Sequence, residues 1–126
     1  VSITNILRRA VATAAFTRGC PVTLVRGGAE TADVTAVPGR TPFEIDDGDG
    51  LVVTVESRDW LIDSTYYRLN DAVTLPEPGD LIREIDGSTL YTYEVLPFGS
   101  EPCYRFADQH RAVLRIHSKL KTTEAV

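Results

Sequence analysis

The feature that most constrains this chain is a run of short apolar or alternating stretches between Pro21 and Ser118, cut by turn-forming clusters. Val22–Arg26 is rich in β-branched residues, and Gly27-Gly28 supplies the positive φ angles of a tight turn. Residues 30–37 are read as a returning strand, ended by Pro38-Gly39-Arg40-Thr41-Pro42. A short strand at Phe43–Asp46 precedes the turn Asp47-Gly48-Asp49-Gly50. Leu51, Val53 and Val55 then alternate with Val52, Thr54 and Glu56, and a further strand follows at Asp59–Ile62. Ser64–Leu69 is read as one helical turn or a loop. Pro76–Asp80 launches Leu81–Ile85, and Asp86-Gly87 makes a hairpin into Leu90–Leu96. Cys103–Phe106 and Ala112–Ser118 complete the set after the Pro97–Pro102 loop. The expectation is a mainly β fold: a small β-barrel or sandwich of about seven or eight short antiparallel strands over residues 21–120.

Ahead of it, Ile3, Ile6, Leu7, Ala10, Val11 and Ala14 recur at helical spacing, with Arg8 and Arg9 opposite. Ser2 or Thr4 can cap the start, and Gly19 with Pro21 stops it, so one N-terminal α-helix is expected within residues 1–18. Residues 38–50 are expected to form a long loop, and residues 121–126 a frayed tail. At 126 residues the chain is expected to make a single domain.

No apolar run reaches the roughly 18–20 residues of a membrane span. Arg8-Arg9 before small apolar residues resembles an export signal only superficially, since the apolar stretch is short and Arg18 follows. Val1 at the start of a chain without Met is read as an initiator Met removed before a small residue, the pattern of a cytoplasmic product. Cys20 and Cys103 read as free small hydrophobes rather than a disulfide framework. His110 and His117 stand apart with no cysteine between them, which excludes a zinc motif.

Net charge is −5, unevenly spread. Residues 1–26 carry +4, residues 27–104 carry −12, and residues 105–126 carry +3. Basic ends and an acidic middle suit head-to-tail or ring contacts, unless the charges merely reflect acidic loops.

Catalytic signatures are missing. There is no Gly-x-Ser-x-Gly elbow, and Gly27-Gly28 lacks the Lys of a phosphate loop. Asp46-Asp47-Gly48-Asp49-Gly50 has the wrong spacing for a calcium loop and reads as a turn. Asp59 and Asp63 are no more than a chance acidic pair in a segment holding sixteen acids, and the histidines read as partly exposed strand-edge residues. Tyr66, Tyr67, Tyr91, Tyr93 and Tyr104 could stack bases on an OB-like barrel, but they lie in the acidic region, where phosphates are repelled. No cofactor is expected, and the chain is not read as an enzyme.

From Leu51 onward the ordered features resemble the tailed-phage head–tail joining proteins, the stopper class of neck subunits. They are Ser57-Arg58-Asp59-Trp60-Leu61-Ile62, then Pro76-x-Pro78-Gly79-Asp80-x-Ile82, then Asp86-Gly87 and Tyr93-Glu94-Val95. Tyr104-Arg105-Phe106 and Leu114-Arg115-Ile116-His117-Ser118-Lys119 close the set. The resemblance spans most of the chain in layout and about residues 51–119 in motif; the second Pro of the turn departs from the family's Pro-x-x-Gly-Asp.

The resemblance implies a virion structural subunit of the neck, assembled in the host cytoplasm, forming a homo-oligomeric ring of about six copies. The ring would sit between the portal or adaptor ring and the tail terminator, retaining packaged DNA that later passes through without sequence-specific binding, and with no membrane involved. Glu44, Asp46, Asp47 and Asp49 are the candidate lumen or ring-docking residues, since an acidic wall does not hold phosphates. Arg8, Arg9, Arg111, Arg115, Lys119 and Lys121 are the candidate subunit-interface residues. The runner-up is a tail terminator or other minor tail protein, for which a helix packed across the sheet after the first strands is expected. An OB-like nucleic-acid-binding module and a small hydrolase follow.

Overall fold

The structure is a computed structural model that describes residues 19–31 and 33–126. The expected N-terminal helix, with Arg8 and Arg9, lies outside the described residues. The described residues form ten strands: β1 Cys20–Arg26, β2 Ala29–Glu30, β3 Val34–Asp46, β4 Val52–Asp63, β5 Arg68–Leu69, β6 Ala72–Val73, β7 Leu81–Asp86, β8 Thr89–Val95, β9 Tyr104–Phe106 and β10 Val113–Ala125. The only helical element among them is the 3₁₀ turn Ser64–Tyr66, where the Asp63 side chain accepts the Thr65 amide. The mainly β, antiparallel expectation therefore holds, with more strands than the seven or eight expected.

Eight strands share one sheet, and β5–β6 is a separate two-stranded ribbon. Adjacent strands run β1–β3–β4–β10–β8–β7, every pair antiparallel. β1 pairs β3 through Cys20–Val22 and β7 through Thr23–Val25, so the path of pairings returns to its first strand. The core fills one face of this path. Trp60, Ile62, Leu114, Ile116, Val95, Ile82, Leu24 and Ala36 are fully buried there. Each buried aliphatic side chain contributes about 1.5–3 kcal/mol relative to exposure. The Trp60 and Tyr93 rings meet edge to face at 5.3 Å, with the Arg58 guanidinium 5.1 Å from the centre of the Trp60 ring.

Two expectations are corrected. The long loop at residues 38–50 does not exist: residues 34–46 are one strand, paired continuously with β4 from Ala36↔Ile62 to Asp46↔Val52. Pro38 and Pro42 do not break it, because each stands opposite β4 (at Trp60 and Glu56) with a nitrogen that has no hydrogen to give. Those two pairs must be of the non-hydrogen-bonded kind, their nitrogens turned away from β4. By the same continuity, the two separate strands expected at residues 51–56 and 59–62 are one. The second correction is the tail. β10 runs to Ala125, pairing Thr122–Ala125 with Thr89–Thr92 of β8, and the Val126 amide donates to the Ser88 carbonyl. Thr122 and Thr123 are β-branched residues suited to that pairing.

The register of β4 with β10 stops at Arg58↔Ser118. Beyond it the strands separate. Val52–Ser57 stays with β3 as a two-stranded arm, while Lys119–Ala125 continues with β8.

Candidate functional site

The sequence placed the candidate acids on a loop; the structure puts them at the tip of the β3–β4 arm. Glu44 and Asp46 are strand residues, and Asp47 and Asp49 lie in the connecting turn. The Asp46 carboxylate accepts the Gly48 amide at 2.8 Å, and the Asp47 carboxylate accepts the Asp49 and Leu51 amides at 2.8 and 3.2 Å. Gly48 and Gly50 carry φ of +89° and +85°, values a side chain would strain. The turn chemistry thus consumes one oxygen each of Asp46 and Asp47 and leaves the rest of the acidic tip in solvent. Leu51, Val52 and Val53 are exposed beside it.

The basic candidates among the described residues, Arg111, Arg115, Lys119 and Lys121, do not gather in one place. Arg111 sits in the β9–β10 turn at φ 55°, its guanidinium 5.3 Å from the centre of the Phe106 ring. Lys119 and Lys121 are exposed on the outer half of β10. Arg115 turns inward: its Nε donates to Asp59 Oδ2 at 2.7 Å, and its Nη2 donates to the Arg40 carbonyl at 2.9 Å.

That contact belongs to a buried network missed in the sequence. Asp59 and His117 are register partners on β4 and β10, both with no solvent exposure. His117 Nδ1 donates to Asp59 Oδ1 at 2.8 Å, and Nε2 donates to Glu101 Oε1 at 2.9 Å. Ser57 and Thr41 hydroxyls also donate to Asp59. Two carboxylates on opposite ring nitrogens leave the imidazole both protons and a positive charge. Burial alone would favour neutral imidazole, yet the bonds from Asp59 and Glu101 outweigh it and raise the His117 pKa above its ordinary 6.5. Burial likewise opposes the Asp59 charge, but the donors from His117, Ser57, Thr41 and Arg115 hold that carboxyl far below its ordinary range. Two acids and two cations close to neutrality, which is how charges survive in an interior. Phe43 of the arm and Phe98 roof the imidazole at 5.2 and 6.3 Å. The expectation of a partly exposed, strand-edge His117 is thereby corrected.

Ser57, His117 and Asp59 bear the residue types of a hydrolytic triad without its geometry. The Ser57 hydroxyl donates to Asp59, stands 3.4 Å from the same Nδ1 that Asp59 occupies, and is buried. A triad needs the serine and the acid on opposite ring nitrogens and the serine open to substrate. The arrangement is a brace.

A second network explains the Gly-Asp turn. Gly79, at φ +94°, lets the chain bend so that Asp80 faces inward. Its carboxylate accepts Arg26 Nε and Nη2, both at 2.8 Å, the Tyr67 hydroxyl at 2.7 Å and the Glu77 amide at 3.0 Å. Burial works against its charge, and these donors, Arg26 first, still lower its pKa. Arg26 also donates to Thr74 and to the Leu75 carbonyl. One carboxylate thus ties β1, the residue after the 3₁₀ turn and the segment entering β7. The five tyrosines do not make a stacking platform: Tyr67 and Tyr93 are buried, and Tyr66 is exposed.

Only part of a signal for the first network existed in the sequence. Ser57 and Asp59, like Arg115 and His117, stand two apart, so each pair shares one face of its strand, although the burial of those faces and their meeting arise only when β4 pairs β10.

Among the described residues, then, an antiparallel sheet whose pairings return to β1 is braced by buried ion pairs and projects a long acidic arm. The family model for phage head–tail joining proteins matches residues 4–125, and the chain belongs to that family. The family's role is structural and places the chain among the components of the virion that join head to tail. No curated protein and no solved structure matches the chain. Among the described residues, no helix is long and apolar enough to cross a membrane.

Proposed function

We propose that the chain is the stopper subunit of the neck, forming a ring of about six copies between the portal or adaptor ring and the tail terminator. The observation that carries this reading is the β3–β4 arm. It extends from a rigid, doubly braced body and ends in Glu44, Asp46, Asp47 and Asp49. An arm of that length can reach the axis of a ring or the face of the next one, and its charge keeps it from adhering to phosphates. Packaged DNA is then held behind the arms by steric closure and passes when they move aside. β1 to β4 follow one another with no helix between them among the described residues, which favours a stopper over a tail terminator.

Arg111, Lys119 and Lys121 remain as exposed cations for acidic neighbours, whereas Arg115 is committed to Asp59. The test is charge reversal at Asp46, Asp47 and Asp49 in a phage that depends on this chain. The expected result is particles that assemble but leak or fail to eject DNA. Wild-type DNA retention and ejection would remove the arm from this role, and absence of the chain from purified necks would overturn the stopper assignment itself.

A further inference from the structure

The separation of β4 from β10 leaves two open strand edges of similar length, Val52–Ser57 and Lys119–Ala125, the second with a register shift between Leu120 and Thr122. Val52–Ser57 pairs only with β3, and Lys119–Ala125 only with β8, among the described residues. Had the register of Arg58↔Ser118 continued, these two segments would have faced each other. Open edges invite pairing with another chain, and proteins blunt those they do not use. Here the blunting is one-sided. The outer edge of β3 carries Pro38 and Pro42, whose nitrogens face outward and have nothing to donate. The outer edge of β4 has no proline and offers a β-branched run in which Val52, Val53 and Thr54 are exposed and Val55 is half-buried. Because Pro42↔Glu56 is a non-hydrogen-bonded pair, the period of two makes Glu44↔Thr54 one as well, so the Thr54 N–H points to the open side.

Charge selects the occupant. Residues 40–57 carry five acids against Arg40, while the outer half of β10 carries Lys119 and Lys121 against Glu124. Lysines on an open edge repel indiscriminate partners, and an acidic strand relieves that repulsion.

We propose that the β4 edge of one copy takes the outer half of β10 of a second copy as an added antiparallel strand. The contact joins two different surfaces, so repetition closes a ring or runs on as a filament. This rests on the neck-subunit reading and supplies the contact between its copies.

The test is Thr54→Pro, which removes an outward donor without touching the β3 ladder, measured by native mass spectrometry of the purified full chain. The expected result is multimers for the wild type, and for T54P a dissociation constant raised by about tenfold or more with the far-UV circular dichroism unchanged. Multimers that persist in T54P, or a wild type that stays single at its highest soluble concentration, would overturn the proposal. If T54P loses the wild-type spectrum, Lys119→Glu with Lys121→Glu takes its place. That pair is expected to dissociate the multimer, and Glu44→Lys with Glu56→Lys to restore it; no dissociation, or no restoration, overturns the edge pairing. Either failure leaves the presence of the chain in necks untouched, so the two readings fall separately.

Discussion

Asp59 and His117 stand opposite each other on β4 and β10, one register step inside the point where those strands part, joined at 2.8 Å with no exposure to solvent. Removing Asp59 therefore strands two cations. Asp59→Ala is expected to cost about 3–5 kcal/mol, since both His117 and Arg115 lose their buried counter-charge. Urea denaturation followed by Trp60 fluorescence measures it, and a loss below about 1 kcal/mol would show that the pair is not a brace.

The same pair sets a pH profile. His117 is raised above 6.5, so its contribution is full below that value and is lost as pH climbs through the folded-state value. Asp59 is depressed below 3.8, so its contribution is full above that value and is lost as pH falls through the folded-state value. Stability contributed by the pair should be greatest between 3.8 and 6.5 and should decline on the alkaline side as His117 gives up its proton. Denaturation midpoints across pH check this, with His117→Gln expected to flatten the alkaline limb.

At the turn before β7, Asp80→Ala leaves the Arg26 guanidinium and the Tyr67 hydroxyl without their acceptor. A cost of about 3 kcal/mol or more is expected, with a double-mutant cycle against Arg26→Ala giving coupling of at least about 1 kcal/mol. Additive single mutants would mean that the bidentate contact carries no energy of its own. Gly79→Ala, at φ +94°, should cost a further 1–2 kcal/mol, roughly, in the same assay.

In the core, Ile116→Ala is expected to cost about 2–5 kcal/mol, because the fully buried side chain packs within the cluster of Trp60, Leu114 and Val95. A loss under 1 kcal/mol, roughly, would mean the sheet collapses freely around the gap.

Much of this fold was legible in the residues. The alternation at residues 51–56, the Asp86-Gly87 hairpin and the Pro76–Asp80 turn all reappear where their chemistry puts them. The arm was not legible, because Pro38, Gly39 and Pro42 carry the composition of a breaker. Whether a proline ends a strand depends on which way its nitrogen faces, a property of the pairing and not of the residue. The extension of β10 was hidden for a related reason: Lys119–Ala125 has almost no apolar content, and its order comes from the β8 ladder. Of the candidate site, the acidic residues Glu44, Asp46, Asp47 and Asp49 lie on a strand and its turn rather than on the long loop expected. The Asp59–His117 brace is a meeting of residues 58 positions apart, which no local pattern displays.

The parting of β4 and β10 has a mechanical consequence. Any pull on the arm that opens the angle between the two strands loads their last shared contacts one at a time, as a zipper does, rather than all together. The first to feel it are the Ser118 hydroxyl, bonded to the Arg58 carbonyl at 2.6 Å and receiving the Trp60 indole N–H at 3.1 Å, and the Asp59–His117 pair behind it. Concentrating buried charge at the crotch of a fork places the costliest bonds where a tear would begin.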